Sequence, residues 1–476
     1  MTNSSSLKKV NSKYLPPCSH LTLSSILKTI TFFTMNSPQQ NVARARAKEL
    51  MQRHAGANAS TPMASTNAEH SQPAGPASFE NFPGYQEYCR QRDGFKKLDM
   101  RNPYFSLHDG VQAATVAVNG REYLSFSGYN YLDLASHPAL ANASIAAIRR
   151  YGSTVSASRV VSGEIALHQQ LERDMANFLG MDDAVTFVSG YGTNVSTLGH
   201  LFGPSDLIVH DALIHNSLMT GARLSGARRI AYPHNDYAAL DRILKETSKQ
   251  HRHTVIVTEG VFSMDGDIVD LPKLVDIKRR HNVFLMVDEA HSFGVLGKRG
   301  VGVSEHFDLP TSVIDIWMGT LSKSMASCGG MIAGSHALIA NLRLNAPGGI
   351  LYSVGLSPAN TAAAIAALQV MQAEPERIEK LQHNSKFFLE KIRALGLDAG
   401  PAQGTPVAPV ILGNSLKCLR VAEHLFDNGV QVHPILYPAV PEEASRLRFF
   451  ITSGHSEEQL EQAANATAAA VAASTS

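Results

Sequence analysis

Cysteine is scarce in this chain. Cys18, Cys89, Cys328 and Cys418 are scattered over 476 residues with no CxxC pair, which excludes a zinc-ligand set and a disulfide framework. No metal site is expected, and a reducing, cytoplasmic setting is the default. Long apolar runs are also missing. The best stretch, Leu21 to Met35, is short, rich in Ser and Thr and broken by Lys28, well under the roughly 18–20 apolar residues a spanning helix needs. Charge of one sign is missing overall: the formal net charge is +1, so nothing in the balance asks for a nucleic-acid partner. Acid is absent from the first 48 residues, which carry Lys8, Lys9, Lys13, Lys28, Arg44, Arg46 and Lys48. That pattern suits an organellar transit peptide, but the segment lacks an amphipathic period. An unstructured tail, or a start at Met35, is the simpler expectation.

What is present is a large apolar fraction, 44%, enough for more than one core. A short helix is expected over 41–55, followed by a linker over 56–80 rich in Ala, Ser, Pro, Asn and Gly, with order beginning near Phe82. Thr115–Val118 and Glu122–Phe126 flank Asn119-Gly120, the signature of a type I′ hairpin. From about 140 to 350, helical runs such as Ile165–Leu179 and Tyr237–Ser248 alternate with apolar runs. Those runs are Ala184–Val188, Leu207–His210, Thr254–Thr258, Val283–Val287, Asp315–Gly319 and Gly330–Ala333. The alternation predicts a parallel sheet covered on both faces, with ligands at the carboxyl ends of its strands. Helices over Pro358–Gln372 and Arg377–Leu395 and strands over Val407–Ile411, Gln431–Pro434 and Arg448–Thr452 predict a separate C-terminal α+β domain.

Two segments carry chemistry. Val283-Phe-Leu-Met-Val-Asp-Glu-Ala-His-Ser brings an acid, Asp288, off the end of a buried strand, and Thr320-Leu-Ser-Lys-Ser brings Lys323 one helix and one strand later. A buried carboxylate needs a partner. A protonated pyridine nitrogen is a suitable one, because the carboxylate keeps the ring cationic and able to drain electrons from a carbanion. A lysine over the same site forms a Schiff base. Alone, either residue is commonplace in an α/β protein; their order and spacing together point to pyridoxal 5′-phosphate. Ser189-Gly-Tyr-Gly-Thr-Asn opens a helix after a strand, where glycines let backbone amides approach an anion. A tight turn is the commoner meaning of such a stretch taken singly. His215, in His210-Asp-Ala-Leu-Ile-His-Asn-Ser, is placed to lie over a cofactor ring, or else to cap a helix.

Taken together, Gly128-Tyr-Asn-Tyr-Leu, Ser158-Arg-Val-Val-Ser-Gly, Glu259-Gly-Val-Phe-Ser-Met-Asp-Gly-Asp, Asp288-Glu-Ala-His-Ser, Thr320-Leu-Ser-Lys and Leu447-Arg448 resemble the α-oxoamine synthases over about residues 100–465. That family includes 8-amino-7-oxononanoate synthase, serine palmitoyltransferase and 5-aminolevulinate synthase. The resemblance implies a fold-type I, aspartate aminotransferase-like α/β fold with a mainly parallel central sheet. The implied division is a disordered extension and linker over 1–80, an N-terminal segment over 81–140, a large cofactor domain over 141–350 and a small domain over 351–476. It implies decarboxylative condensation of an amino acid with an acyl thioester in a homodimer with the active site at the interface. By the same resemblance, Lys323 is the Schiff-base lysine, Asp288 the pyridinium partner, and His215 the stacking residue and donor toward the acyl oxygen. His291 and Ser263 hold the ring hydroxyl, and Gly190, Tyr191 and Thr320 belong to the phosphate and ring cradle. Ser353 reaches the phosphate across the interface, and Asn130, Ser158 and Arg448 face the substrate.

The departures are informative. Tyr129-Asn-Tyr-Leu-Asp133 resembles the serine palmitoyltransferase wording, and Ala439 stands where biotin-pathway members tend to have threonine. The stretches around His215 and Thr320–Gly330 are closest to synthases associated with polyketide assembly lines, so the acyl donor is either a coenzyme A ester or a carrier protein in trans. Glycine-specific members tend to carry threonine at the position of Ser158; serine leaves room for a β-carbon and favours alanine or serine. Two other classes compete. A fold-type I aminotransferase or amino-acid lyase would share Asp288 and Lys323 but not the Ser158-Arg159 and Glu259–Asp267 stretches. A non-catalytic partner subunit would lack the lysine.

Overall fold

The computed structural model describes residues 77–474. The helix expected over 41–55, the linker up to residue 76 and the acid-free segment lie outside the described residues. A border between two units falls between Gln86 and Glu87, inside a helix over Pro83–Lys97 that opens close to the expected onset of order. Every strand belongs to the second unit, from Glu87 onward.

The chain first lays down β1 (His108–Asp109), β2 (Thr115–Val118) and β3 (Arg121–Ser125). Asn119 and Gly120 have φ of 51° and 77°, the left-handed pair a type I′ turn requires. Seven strands then form the central sheet: β4 (Asp183–Phe187), β5 (Leu207–Asp211), β6 (Arg228–Tyr232), β7 (Thr254–Glu259), β8 (Phe284–Asp288), β9 (Ile316–Thr320) and β10 (Gly330–Gly334). Their order across the sheet is β4-β10-β9-β8-β7-β5-β6. The apolar runs became strands because they alternate between two covered faces. Val185, Ile208, Val255, Met286 and Ile332 enter one core, and Ala184, Val209, Ile256, Val287 and Met331 the other.

The sheet is mainly parallel, as expected, but two of its features were not foreseen. It is mixed, not wholly parallel: β10 runs antiparallel to both β9 and β4, because the chain returns directly from β9 without a helical crossover. Segment 321–329 is therefore a hairpin loop, closed at its base by the pairing of Thr320 with Gly330. The strand β6 was also unforeseen. It is an edge strand whose Arg228 and Arg229 are exposed, and such charges protect edges while hiding the apolar signal.

Beyond helices Pro358–Ala373 and Glu376–Ala394 come β11 (Val407–Ile411), β12 (Val430–Gln431), β13 (His433–Ile435) and β14 (Arg446–Phe450). The strand expected over Gln431–Pro434 is divided between two sheets. β12 pairs in parallel with β3, while β13 joins β14 and β11. The last strand lies two residues earlier than expected. A third core, with Phe126, Phe388, Phe449 and Ile451, unites the N-terminal hairpin with this C-terminal region. Among the described residues no helix is long and apolar enough to cross a membrane.

His234, just after β6, joins the strand ends. Its Nδ1 donates to Asp211 and its Nε2 to Asp267, both at 2.9 Å. Burial alone would lower the imidazole pKa, but the two carboxylates outweigh it and raise it to about 10. Stability from this clamp is fully present below the unfolded pKa of about 6.5 and is lost as pH rises through about 10. His234→Gln should cost about 3 kcal/mol near pH 6. Thermal unfolding of the two proteins should converge as pH approaches 10; an undiminished gap would contradict the clamp.

Candidate active site

Five strands deliver functional groups to one edge of the sheet. Helix Gly190–Leu201 follows β4, His215 follows β5, and Glu259, Asp288 and Thr320 are the last residues of β7, β8 and β9. β10 starts at that edge with Gly330. Glu259 pairs in register with Asp288, so both carboxyl groups leave the same face of the sheet.

Asp288 accepts from Asn194 Nδ2 at 2.7 Å and from the Ala290 amide at 2.9 Å. Glu259 has one carboxyl oxygen buried without a partner. Burial, and then Asp288, push its pKa well above the usual range, although Lys323 and the backbone amides of His215 and Ser263 oppose this. The neighbour on the other side, Glu289, is pushed up to about 7 by burial while accepting from Ser292 and the Val303 amide.

Lys323 has its ammonium 5.6 Å from the Tyr129 ring. Loss of hydration brings its pKa down to about 8, with Asp288 and Glu259 holding it up and Arg448 pressing it down. His215 caps helix Asn216–Leu224, accepting the Ser217 amide at its Nδ1. Burial lowers its pKa, against Asp288 and with Lys323 and Arg448. His291 is buried and held well below the usual imidazole range by burial, Lys323, Arg448 and His215. Its Nδ1 meets the Tyr131 hydroxyl at 2.8 Å. Arg448 donates to the Ser263 carbonyl at 2.9 Å and lies 4.7 Å from the Phe450 ring. Its Nε is buried and unpartnered, and no acid forms an ion pair with it among the described residues.

The helix start is crowded. A Cβ on Gly190 would lie 2.6 Å from Thr320 Oγ1, and one on Gly330 would lie 2.5 Å from Thr193 Oγ1. Ser189 caps this helix at Gly192, and a helix start leaves its first amides free. Thr320 and Ser322 hydroxyls stand 2.8 Å apart beside it.

The remaining expected residues are placed less centrally. Tyr191 is exposed, its hydroxyl 2.9 Å from Asn216 Oδ1 and 3.1 Å from Thr220 Oγ1, with its ring edge-on to His215 at 6.4 Å. Asn130 spends its side chain locally, accepting from Leu134 and Ala135 and donating to Gln112 and Asp133. Ser158 bridges to Val354, and its carbonyl receives the amides of Val161, Ser162 and Gly163. Next to it, Arg159 is locked to Glu164 and Glu172. The Ser353 hydroxyl donates to the Val354 carbonyl at 3.4 Å, on a segment where Tyr352 and Val354 are exposed. Sequence reasoning missed Asn194, Ser217 and Tyr131. All three lay inside quoted motifs, but nothing in the text ties Asn194 and Tyr131 to partners 94 and 160 residues away.

The chain is similar to known proteins in sequence and in fold. The model for aminotransferase class I and II matches residues 121–466. The chain is 39% identical over 371 residues to 8-amino-7-oxononanoate synthase of Symbiobacterium thermophilum, covering 78% of this chain and 94% of that one. It is 37% identical over 361 residues to serine palmitoyltransferase of Bacteroides thetaiotaomicron, covering 76% and 91%. A solved serine palmitoyltransferase structure carrying pyridoxal phosphate superposes with a TM-score of 0.80 at 26% identity, over 84% of this chain and 100% of the other.

In the cofactor-free protein, acylation of Lys323 followed by peptide mass should titrate with a midpoint near 8. Asp288→Asn should lower that midpoint, since Asp288 favours the ammonium. A midpoint near the ordinary lysine value of about 10.4 would contradict the assignment.

Proposed function

The chain belongs to the aminotransferase class I and II family, in its α-oxoamine synthase branch, and from that premise we propose that it joins L-alanine or L-serine, in preference to glycine, to an acyl thioester carried by coenzyme A or an acyl carrier protein. The reaction class is decarboxylative condensation of an amino acid with an acyl thioester, dependent on pyridoxal 5′-phosphate.

The residues present fit that cofactor. An amine with a depressed pKa, an acid at a strand end, two histidines and a glycine-lined helix start converge on one edge of the sheet. Lys323 would hold the aldehyde carbon, Asp288 the ring nitrogen, and His215 the ring face. Ser263 and His291 would hold the ring hydroxyl, and Gly190, Tyr191 and Thr320 the phosphate, with Ser353 of the partner subunit completing it in a homodimer. The exposed Tyr352 and Val354 support such an interface. When bound, the cofactor supplies the carbonyl that takes up the amino group and the cationic ring that draws electrons from the α-carbon.

The observation that carries the reading is Arg448. A guanidinium buried without an acid beside Lys323 calls for an anion, and an amino-acid carboxylate meets it bidentately. Lys323 Nζ, at a pKa near 8, takes the proton from the α-carbon of the amino acid. His215 has its Nδ1 held by Ser217, which leaves Nε2 to donate to the acyl oxygen as the α-carbon attacks and the thiol leaves. Loss of CO2 follows, and Lys323 returns a proton to the carbon that bore the carboxylate, leaving an α-amino ketone. Tyr129 and Phe450 flank these groups with apolar surface. Ser158 supports the choice of amino acid by its size alone, being fixed in place by the Arg159 ion pairs.

Intact-mass and CO2-release assays with glycine, alanine and serine, each offered with acyl coenzyme A and acyl carrier protein, test this directly. Alanine or serine should give an amino ketone and CO2 faster than glycine. A keto acid without CO2 would instead mark an aminotransferase, and a glycine preference would sink the substrate assignment. Ser158→Thr should move the preference toward glycine by about 1–3 kcal/mol. Arg448→Lys should raise KM for the amino acid about tenfold or more, with little change for the thioester; equal changes in both would reject the carboxylate contact.

A further inference from the structure

Behind Asp288 lies a line of hydrogen bonds of which the chemistry above uses only the last, between Ser217 and His215. Asn194, buried in helix Gly190–Leu201, donates from its one amide nitrogen to Asp288 Oδ2 at 2.7 Å and to Ser217 Oγ at 2.9 Å. Ser217, buried in helix Asn216–Leu224, meets His215 Nδ1 at 2.7 Å through its hydroxyl, and its backbone amide points at the same nitrogen at 3.3 Å. The helices approach closely enough for this because Gly221 lacks a side chain: a Cβ there would lie 2.7 Å from the Asn194 carbonyl oxygen.

The direction of each bond follows from the donors available. An amide nitrogen has two hydrogens and a carboxylate has none. With its oxygen toward Asp288, Asn194 would set acceptor against acceptor. Its Oδ1 has no partner, so the nitrogen side fixes the orientation. Ser217 Oγ receives one of those hydrogens and has a single hydrogen of its own, which goes to His215 Nδ1. That nitrogen is then an acceptor twice over, and the ring proton belongs on Nε2.

We propose that Asn194 and Ser217 are positioning residues that link Asp288 to His215 and hold the His215 ring as its Nε2–H tautomer, so that the nitrogen left for substrate is a hydrogen-bond donor. This rests on the preceding assignment of His215 as donor to the acyl oxygen. The Asp288 end of the line keeps the carboxylate oriented for a cationic ring. The His215 end prevents Nδ1 from taking up a proton, since two hydrogens already point at it.

The test reads the ring and the cofactor site separately from turnover. In the holoenzyme labelled with 15N-imidazole histidine, and with His215→Asn used for assignment, His215 should carry its proton on Nε2. Ser217→Ala should populate the other tautomer, and Ser217→Thr should restore the wild-type signal. Titration of cofactor-free protein with pyridoxal 5′-phosphate should show Asn194→Leu binding about tenfold or more weakly, as expected for one lost bond to a charged group. Ser217→Ala should stay within about twofold of wild type in that titration. A wild-type ring protonated on Nδ1 overturns the proposal without recourse to any variant. So does a Ser217→Ala ring identical to wild type, or cofactor affinity unchanged in Asn194→Leu. Absence of CO2 release with an Nε2–H ring would instead remove the condensation reading and leave the relay standing.

Discussion

Asp288 is a carboxylate buried at the end of β8, and the neighbouring groups answer to it. It shares a sheet face with Glu259, and two ionised carboxyl groups so close in a buried site would be costly. The donors resolve the conflict. Asn194 and the Ala290 amide serve Asp288, whereas one oxygen of Glu259 is left without any. Glu259 is therefore the member pushed toward its neutral form. Burial brings Lys323 down to about 8, with Asp288 and Glu259 opposing it and Arg448 adding to it, and the Arg448 guanidinium has no acid paired with it among the described residues.

The same charge pattern separates the roles of the two histidines. Both are buried near Lys323 and Arg448, and both are held below their ordinary pKa. His215 has Asp288 to offset the cations; for His291 the neighbouring cations add to the effect of burial. His291 is neutral and tied to Tyr131, suited to holding a fixed oxygen. By contrast, His234 lies between two acids and is an imidazolium over the working range of pH. The direction in which each of these three histidines is shifted thus follows from what it faces.

Much of this was legible in the sequence, for identifiable reasons. Buried strands such as Thr254–Glu259 and Phe284–Asp288 announce themselves through unbroken apolar text, and Asp288 and Lys323 are residue types whose burial demands a partner. The edge strand Arg228–Tyr232 was illegible because its side chains answer to solvent. The reversed direction of Gly330–Gly334 was illegible because strand text carries no polarity. Asn194 and Ser217 were hidden for a different reason. Asparagine and serine serve caps, turns and cores alike, and only the approach of two helices at Gly221 gives these two a shared task.

That reversed strand has a mechanical consequence. The loop bearing Lys323 is anchored on both sides by adjacent rungs of one ladder, Thr320 against Gly330. Had the chain crossed over to a parallel strand, one end of the loop would have hung from a helix, and small shifts of that helix would have moved the amine. Here the amine is mounted on a loop whose two ends pair with each other in the central sheet, as a tool is fixed in a vice. Movements elsewhere in the protein can then occur without detuning the distance between Lys323 and Asp288.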